Sequence, residues 1–136
     1  MRRVALVLAV MGVALLVGSG VALAVNKIGT NGPDTLRGTN GEDNLLGRGG
    51  RDTLLGQGGS DNVLGGAGDD FLADGVFTET QPDVLVGGAG NDELSAFNDP
   101  ATRDIVACGT GRDYAEVDRK DIVADDCERV RLFTFF

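Results

Sequence analysis

The chain contains no histidine and no tryptophan, and across its 136 residues it has only 3 prolines, 2 cysteines, one tyrosine and 6 phenylalanines. Without histidine, neither a Ser-His-Asp nor a Cys-His nucleophilic site can be assembled. Aromatics at 5% deny the chain a core built on large side chains. Basic residues are also scarce. Twelve Lys and Arg face 21 Asp and Glu, and since Arg2 and Arg3 precede every acidic group, the chain beyond position 24 carries 10 basic against 21 acidic residues. Such a surface repels nucleic acid and attracts cations. The length leaves room for one domain. What the chain has in abundance is glycine, 22 copies.

Long hydrophobic runs are confined to the first 24 residues. Arg2 and Arg3 form a basic start, Val4 to Val17 an apolar stretch, and Ala22-Leu23-Ala24 a small-residue cleavage pattern. This is the anatomy of a secretory signal peptide over 1–24, cut after Ala24, with residues 25–136 as the mature domain. The rival reading is an uncleaved anchor, because Val4 to Val25 is nearly long enough to span a bilayer. Both readings put the mature domain outside the cytoplasm, secreted or held at the cell surface, where disulfides persist. No membrane span is expected after the signal.

The glycines recur in phase. Five blocks of nine follow without a gap: GTNGPDTLR (29–37), GTNGEDNLL (38–46), GRGGRDTLL (47–55), GQGGSDNVL (56–64) and GGAGDDFLA (65–73). Their first position is Gly29, Gly38, Gly47, Gly56 and Gly65, and their fourth Gly32, Gly41, Gly50, Gly59 and Gly68. The sixth is Asp34, Asp43, Asp52, Asp61 and Asp70, and the eighth is aliphatic: Leu36, Leu45, Leu54, Val63 and Leu72. Asp83 and Leu85 resume the phase after a longer loop, 74–82. GGAGNDELS (87–95) is again regular, with Gly87, Gly90 and Asp92. A second loop, 96–103, precedes Asp104 and Val106; CGTGRDYAE (108–116) brings Gly111 and Asp113, and Asp121 with Val123 ends the series. The repeats thus cover about residues 29–124, leaving 125–136 as a C-terminal cap.

Glycine serves where the backbone takes positive φ or is approached closely. A unit therefore reads as a six-residue turn and a three-residue strand such as Thr35-Leu36-Arg37, with only the central side chain inward. Nine residues cannot enclose a core, but two units can, giving coils of about 18 residues, two narrow parallel sheets and turns along both edges. A hairpin series or a disordered glycine-rich linker would not keep an aliphatic residue two positions after each aspartate.

These blocks resemble the RTX, or haemolysin-type, calcium-binding repeat, G-G-x-G-x-D-x-U-x. The resemblance implies an all-β, right-handed parallel β-roll, a β-solenoid in which aspartate carboxylates and backbone carbonyls of the turns hold several Ca²⁺ ions between neighbouring coils. Ca²⁺ takes six to eight oxygen ligands, which suits aspartate and carbonyl donors. The expected metal-site residues are Asp34, Asp43, Asp52, Asp61, Asp70, Asp92 and Asp113, with the first- and fourth-position glycines given above. With two units per coil, Asp34, Asp52, Asp70, Asp92 and Asp113 form one column, and Asp43, Asp61, Asp83, Asp104 and Asp121 the other. Both long loops fall on the second edge, so the first is expected to be the better ladder. Thr30, Thr39, Arg48 and Gln57 depart from the pattern at the second position. The sixth, eighth and tenth turns lack the fourth glycine, so no full sites are expected there. Without metal the stacked carboxylates would repel one another, and a largely disordered apo state is expected.

Cys108 and Cys127 lie 19 residues apart, about one coil, which would set them on adjacent rungs about 4.8 Å apart and within disulfide range. A bond securing the C-terminal end is expected, with free thiols or a metal pair as the alternatives. The tail 132–136 reads as a cap over the open end of the solenoid. Functionally, the chain reads as an extracellular calcium-binding, structural or adhesive protein with cell-surface glycans or proteins as partners, and not as an enzyme. The alternative is a polysaccharide-binding accessory module offering Phe77, Phe97 and Tyr114 for stacking. Glu79 and Glu93 read as solvated.

Overall fold

A computed structural model of the chain describes residues 23–76, 78 and 80–134. Twelve strands alternate between two sheets. The first sheet takes β1 (Asn26–Ile28), β3 (Asn44–Gly49), β5 (Asn62–Ala67), β7 (Val84–Ala89), β9 (Ile105–Thr110) and β11 (Ile122–Val123). The second takes β2 (Thr35–Arg37), β4 (Thr53–Gln57), β6 (Phe71–Gly75), β8 (Glu93–Ala96), β10 (Tyr114–Val117) and β12 (Arg129–Leu132). Every pairing is parallel, and each coil of the solenoid gives one strand to each sheet. Regular coils advance by 18 residues, and those carrying the long loops by 21 or 22. Both loops run from the second sheet back to the first, β6 to β7 and β8 to β9, so the irregularity is confined to one edge as the phase of the repeats implies.

The strands are longer than the three residues expected from the repeat. Between the ends of the solenoid they run for four to six residues and continue through the first position of the next unit, which is glycine in β3, β4, β5 and β7. Along β3 the buried positions are Leu45 and Gly47, preceded by buried Asp43, while Asn44, Leu46 and Arg48 face out. The two-residue alternation of a strand thus brings aspartate, aliphatic residue and glycine to the interior together. Reading only the aliphatic position as inward therefore underestimates what each unit buries.

The interior is two columns of single side chains. Leu45, Val63, Leu85 and Val106 are in register in the first sheet, and Leu54, Leu72, Leu94 and Ala115 in the second, all fully buried. Leu36 and Val123 are partly covered at the ends. On the outer face Asn44 Nδ2 donates to Asn26 Oδ1 at 2.8 Å and Asn62 Nδ2 to Asn44 Oδ1 at 2.9 Å, a short amide ladder across three coils.

The solenoid outruns the repeats at both ends. β1 precedes the first unit and β12 lies beyond the last, pairing with β10 in the register Tyr114↔Arg129. Phe133 follows β12 and stacks on Phe97 at 4.3 Å, so this part of the tail packs onto the chain's own loop. Phe135 and Phe136 lie outside the described residues, as do Phe77, Glu79 and all but the end of the expected signal segment.

Cys108 in β9 and Cys127 form a disulfide, with their Cα atoms 5.0 Å apart. The bond joins the last regular coil to the segment that leads into β12. Replacing both cysteines by alanine is expected to lower the unfolding free energy by about 3 kcal/mol, the chain-entropy value for a loop of this size. Urea titration in saturating Ca²⁺ measures it, and an unchanged midpoint would show that the bond constrains nothing.

Candidate metal centre

The sixth-position aspartates stack along the two edges of the solenoid, each tied to the next coil by its own backbone. On one edge the N–H of Asp34 donates to Asp52 Oδ1 at 2.8 Å, Asp52 to Asp70 at 2.8 Å, Asp70 to Asp92 at 2.9 Å and Asp92 to Asp113 at 2.8 Å. On the other edge Asp43 donates to Asp61 at 2.8 Å, Asp61 to Asp83 at 2.6 Å, Asp83 to Asp104 at 2.8 Å and Asp104 to Asp121 at 3.0 Å. These are the two columns that the repeat phase implies. Each column extends one step beyond the series. The N–H of Val25 uses Asp43 Oδ1 at 2.7 Å, and the N–H of Asp113 uses Glu128 Oε2 at 2.8 Å.

Only one oxygen of each carboxylate is spent on this chain of bonds. The Oδ2 atoms of Asp52, Asp61, Asp70, Asp92 and Asp113 are buried and accept no hydrogen bond. A buried polar atom left so costs about 1–3 kcal/mol, and more for a charged group. The surroundings are oxygen-rich. A Cβ placed on Gly65 would lie 2.6 Å from Asp70 Oδ2 and 2.6 Å from the carbonyl oxygen of Gly87, and one on Gly87 2.6 Å from Asp92 Oδ2 and 2.5 Å from the carbonyl oxygen of Cys108. Glycine is required at the first position because a carboxylate and a backbone carbonyl from two coils converge there. The fourth-position glycines Gly50, Gly59, Gly68, Gly90 and Gly111 stack backbone on backbone against Gly32, Gly41, Gly50, Gly68 and Gly90 of the preceding coil.

Carboxylate and carbonyl oxygens with no competing donor are what a hard divalent cation takes. Among the described residues the one ion pair is Arg131 with Glu116 at 3.5 Å and involves no column carboxylate; of the column, Asp113 has the Arg129 charge acting on it. The residues fit Ca²⁺, which would supply positive charge to the paired columns when bound.

Burial raises the affinity of these carboxylates for protons. Asp61 and Asp92 are pushed up to about 6, first by desolvation and then by neighbouring carboxylates, Asp43 beside the former and Asp70 and Asp113 beside the latter. Desolvation likewise lifts Asp121 to about 7, with Asp104 and Asp118 adding repulsion, and it raises Asp70, Asp104 and Asp113. A carboxylate whose folded pKa exceeds its unfolded value takes up a proton on folding. Its full stabilising effect is therefore present below the unfolded value of 3.8 and is lost as pH rises through about 6 to 7. In excess chelator, lowering the pH from 7.5 to 5 is expected to increase the far-ultraviolet β signal. In Ca²⁺ the same window is expected to weaken ion affinity, because protons compete for the ligands. A chelated sample whose β signal falls on acidification would contradict the assignment.

Several buried polar groups lie outside the repeat phase. Asp74, Asn98, Thr102 and Asp118 are all buried on the loop-bearing edge. Asn98 Nδ2 donates to Asp74 Oδ2 at 3.0 Å, and the Thr102 hydroxyl lies 2.5 Å from Asn98 Oδ1 and 3.2 Å from Asp104 Oδ2. The long loops thus bring their own polar groups to the turns that lack the fourth glycine. Sequence periodicity could not find these residues, since insertions have no phase. Asp74 alone carried a signal, because it stands at the first position of a unit, where glycine stands in the five regular blocks before it.

Of the rings offered for stacking, Phe97 is engaged by Phe133 and Tyr114 lies under the Arg129 guanidinium, 5.7 Å from its centroid. Glu93 is exposed. Cys108, Asp126 and Cys127 cluster, but both sulfurs are committed to the disulfide.

The sequence profile described as the RTX calcium-binding nonapeptide repeat (4 copies) matches residues 28–63, 37–72 and 77–99, together half of the chain. No curated protein and no solved structure gives a significant match.

Proposed function

Because the chain belongs to the RTX calcium-binding nonapeptide repeat family, we propose that it is an exported structural protein that orders its β-roll by taking up several Ca²⁺ ions along the aspartate columns. The observation that carries this reading is the set of five buried Oδ2 atoms, on Asp52, Asp61, Asp70, Asp92 and Asp113, that accept no hydrogen bond. Asp52, Asp70, Asp92 and Asp113 supply the ligands of the regular edge, with carbonyls at the first-position glycines, and Asp61 those of the loop-bearing edge. Export rests on the signal-like residues 1–24 and on the disulfide, which suits an oxidising compartment. Among the described residues no helix is long and apolar enough to cross a membrane.

The family is generally non-catalytic, and a chain without histidine whose phased carboxylates are committed to metal suits a structural or adhesive role at the cell surface. Isothermal titration of the full chain with Ca²⁺ is expected to show uptake of several ions, and Asp70→Asn to remove at least one. Absence of uptake by the native chain would overturn the proposal. A glycan array read with and without Ca²⁺ separates adhesion to carbohydrate from a purely structural role.

A further inference from the structure

The first two turns differ from the later turns that carry the fourth-position glycine in how their aspartates are satisfied. In the turn beginning at Gly29, Asp34 Oδ2 accepts from the backbone N–H of Thr30 at 2.5 Å and from the Thr30 hydroxyl at 2.9 Å. The same hydroxyl accepts from the N–H of Gly32 at 3.1 Å. In the turn beginning at Gly38 the arrangement repeats. The N–H of Thr39 and its hydroxyl, the latter at 3.0 Å, both reach Asp43 Oδ2, and the hydroxyl accepts from Gly41 N–H at 3.1 Å. One threonine side chain thus bridges the second, fourth and sixth positions of its own turn.

Among the described residues no later turn has this bridge; Asp104 Oδ2 instead accepts from the Thr102 hydroxyl at 3.2 Å and Asp121 Oδ2 from the N–H of Asp118 at 2.8 Å, in turns that lack the fourth glycine. The second position is Arg48, Gln57, Gly66, Gly88 and Gly109 in the third, fourth, fifth, seventh and ninth units, none of which carries a hydroxyl. All five sit at positive φ, from 81° to 111°, whereas neither Thr30 nor Thr39 does. In those same five units the aspartates are Asp52, Asp61, Asp70, Asp92 and Asp113, each with a buried Oδ2 that accepts no hydrogen bond. The residue at the second position, the sign of its φ and the state of the carboxylate change together.

We infer that Thr30 and Thr39 close the first two turns to metal, making them an ion-free N-terminal cap, so that the calcium ladder begins at Asp52 on one edge and at Asp61 on the other. The inference rests on the calcium reading above and refines it by removing Asp34 and Asp43 from the expected ligands. A cation entering either turn would displace two donors from the carboxylate and strand the threonine N–H. The hydroxyl is largely engaged as well: one of its two lone pairs is used by the glycine N–H, and its proton faces the carboxylate, at Thr39 with the Leu23 carbonyl as a second acceptor at 3.0 Å. Charge-assisted bonds of this kind are about twice as strong as neutral ones, so the turn is stabilised without an ion. A solenoid needs such a terminal unit, since its first coil has a neighbour on one side only.

The test counts bound ions by native mass spectrometry, with circular dichroism in Ca²⁺ confirming that each variant is folded. Thr30→Gly/Thr39→Gly, which restores the G-G-x-G-x-D pattern, is expected to bind at least one ion more than the native chain. The reciprocal Arg48→Thr/Gln57→Thr is expected to bind at least one fewer, and it decides the matter if the glycine variant fails to fold. A native count in either folded variant overturns the inference. So does loss of an ion from the glycine variant, which would make the threonine oxygens ligands. If the native chain binds no Ca²⁺, the functional reading falls and takes the inference with it, an outcome distinct from binding that is merely insensitive to the threonines.

Discussion

In excess chelator at pH 7.5 the chain is expected to lose most of its β-roll signature by far-ultraviolet circular dichroism and to exchange its inter-coil amides freely, regaining both when Ca²⁺ is returned. Nine residues must be ordered for each aliphatic side chain buried, and the interior is a single layer of Leu, Val and Ala. The same burial brings carboxylates into two columns, in which neighbours on successive coils raise one another's proton affinity. At neutral pH that repulsion opposes compaction, and buried oxygens without donors add to it. Ions that bind the folded chain alone reverse the balance, each contributing about 2.7 kcal/mol when free Ca²⁺ exceeds its Kd a hundredfold. Several such sites shift stability by an amount comparable to the whole stability of a typical domain, which is about 5–15 kcal/mol. Identical spectra and exchange rates with and without chelator would show that the coils hold together on packing alone.

The second large effect is expected at Leu72. It is fully buried and in register between Leu54 and Leu94, so in so narrow an interior no side chain other than its stacked neighbours and those of the facing sheet can fill the space it would leave. Leu72→Ala is expected to cost about 2–5 kcal/mol and to lower the Ca²⁺-saturated melting midpoint by about 10 °C or more. Leu46→Ala, one residue out of phase and outward-facing at 36% exposure, should stay within about 0.5 kcal/mol. Thermal denaturation of the two variants side by side is the measurement. Equal losses would mean that the alternation along the strands does not define the core.

The recurrence of glycine, aspartate and aliphatic residue every nine positions carried the architecture, because whatever repeats in phase must stack when two units close a coil. From it follow the two sheets, the pairing of Asp34 with Asp52 and of Asp43 with Asp61, the placement of both long loops on one edge, and the approach of Cys108 to Cys127. Strand length was not legible, since the hydrogen bonding that extends β3 through Gly47 to Gly49 depends on a neighbouring coil being present. Glu128 is another case: it takes the place of the next aspartate beyond Asp113, but it lies 15 residues further on and out of phase, so only folding brings it there.

The sequence by itself determined what lies above what, because spacing along the chain becomes height along a solenoid. Tertiary structure decided what each group does once there. Thr30 and Arg48 occupy the same position in the repeat, yet one donates to its aspartate and the other does not. That difference is set by the local sign of φ and by where the backbone N–H then points, neither of which is written in the period.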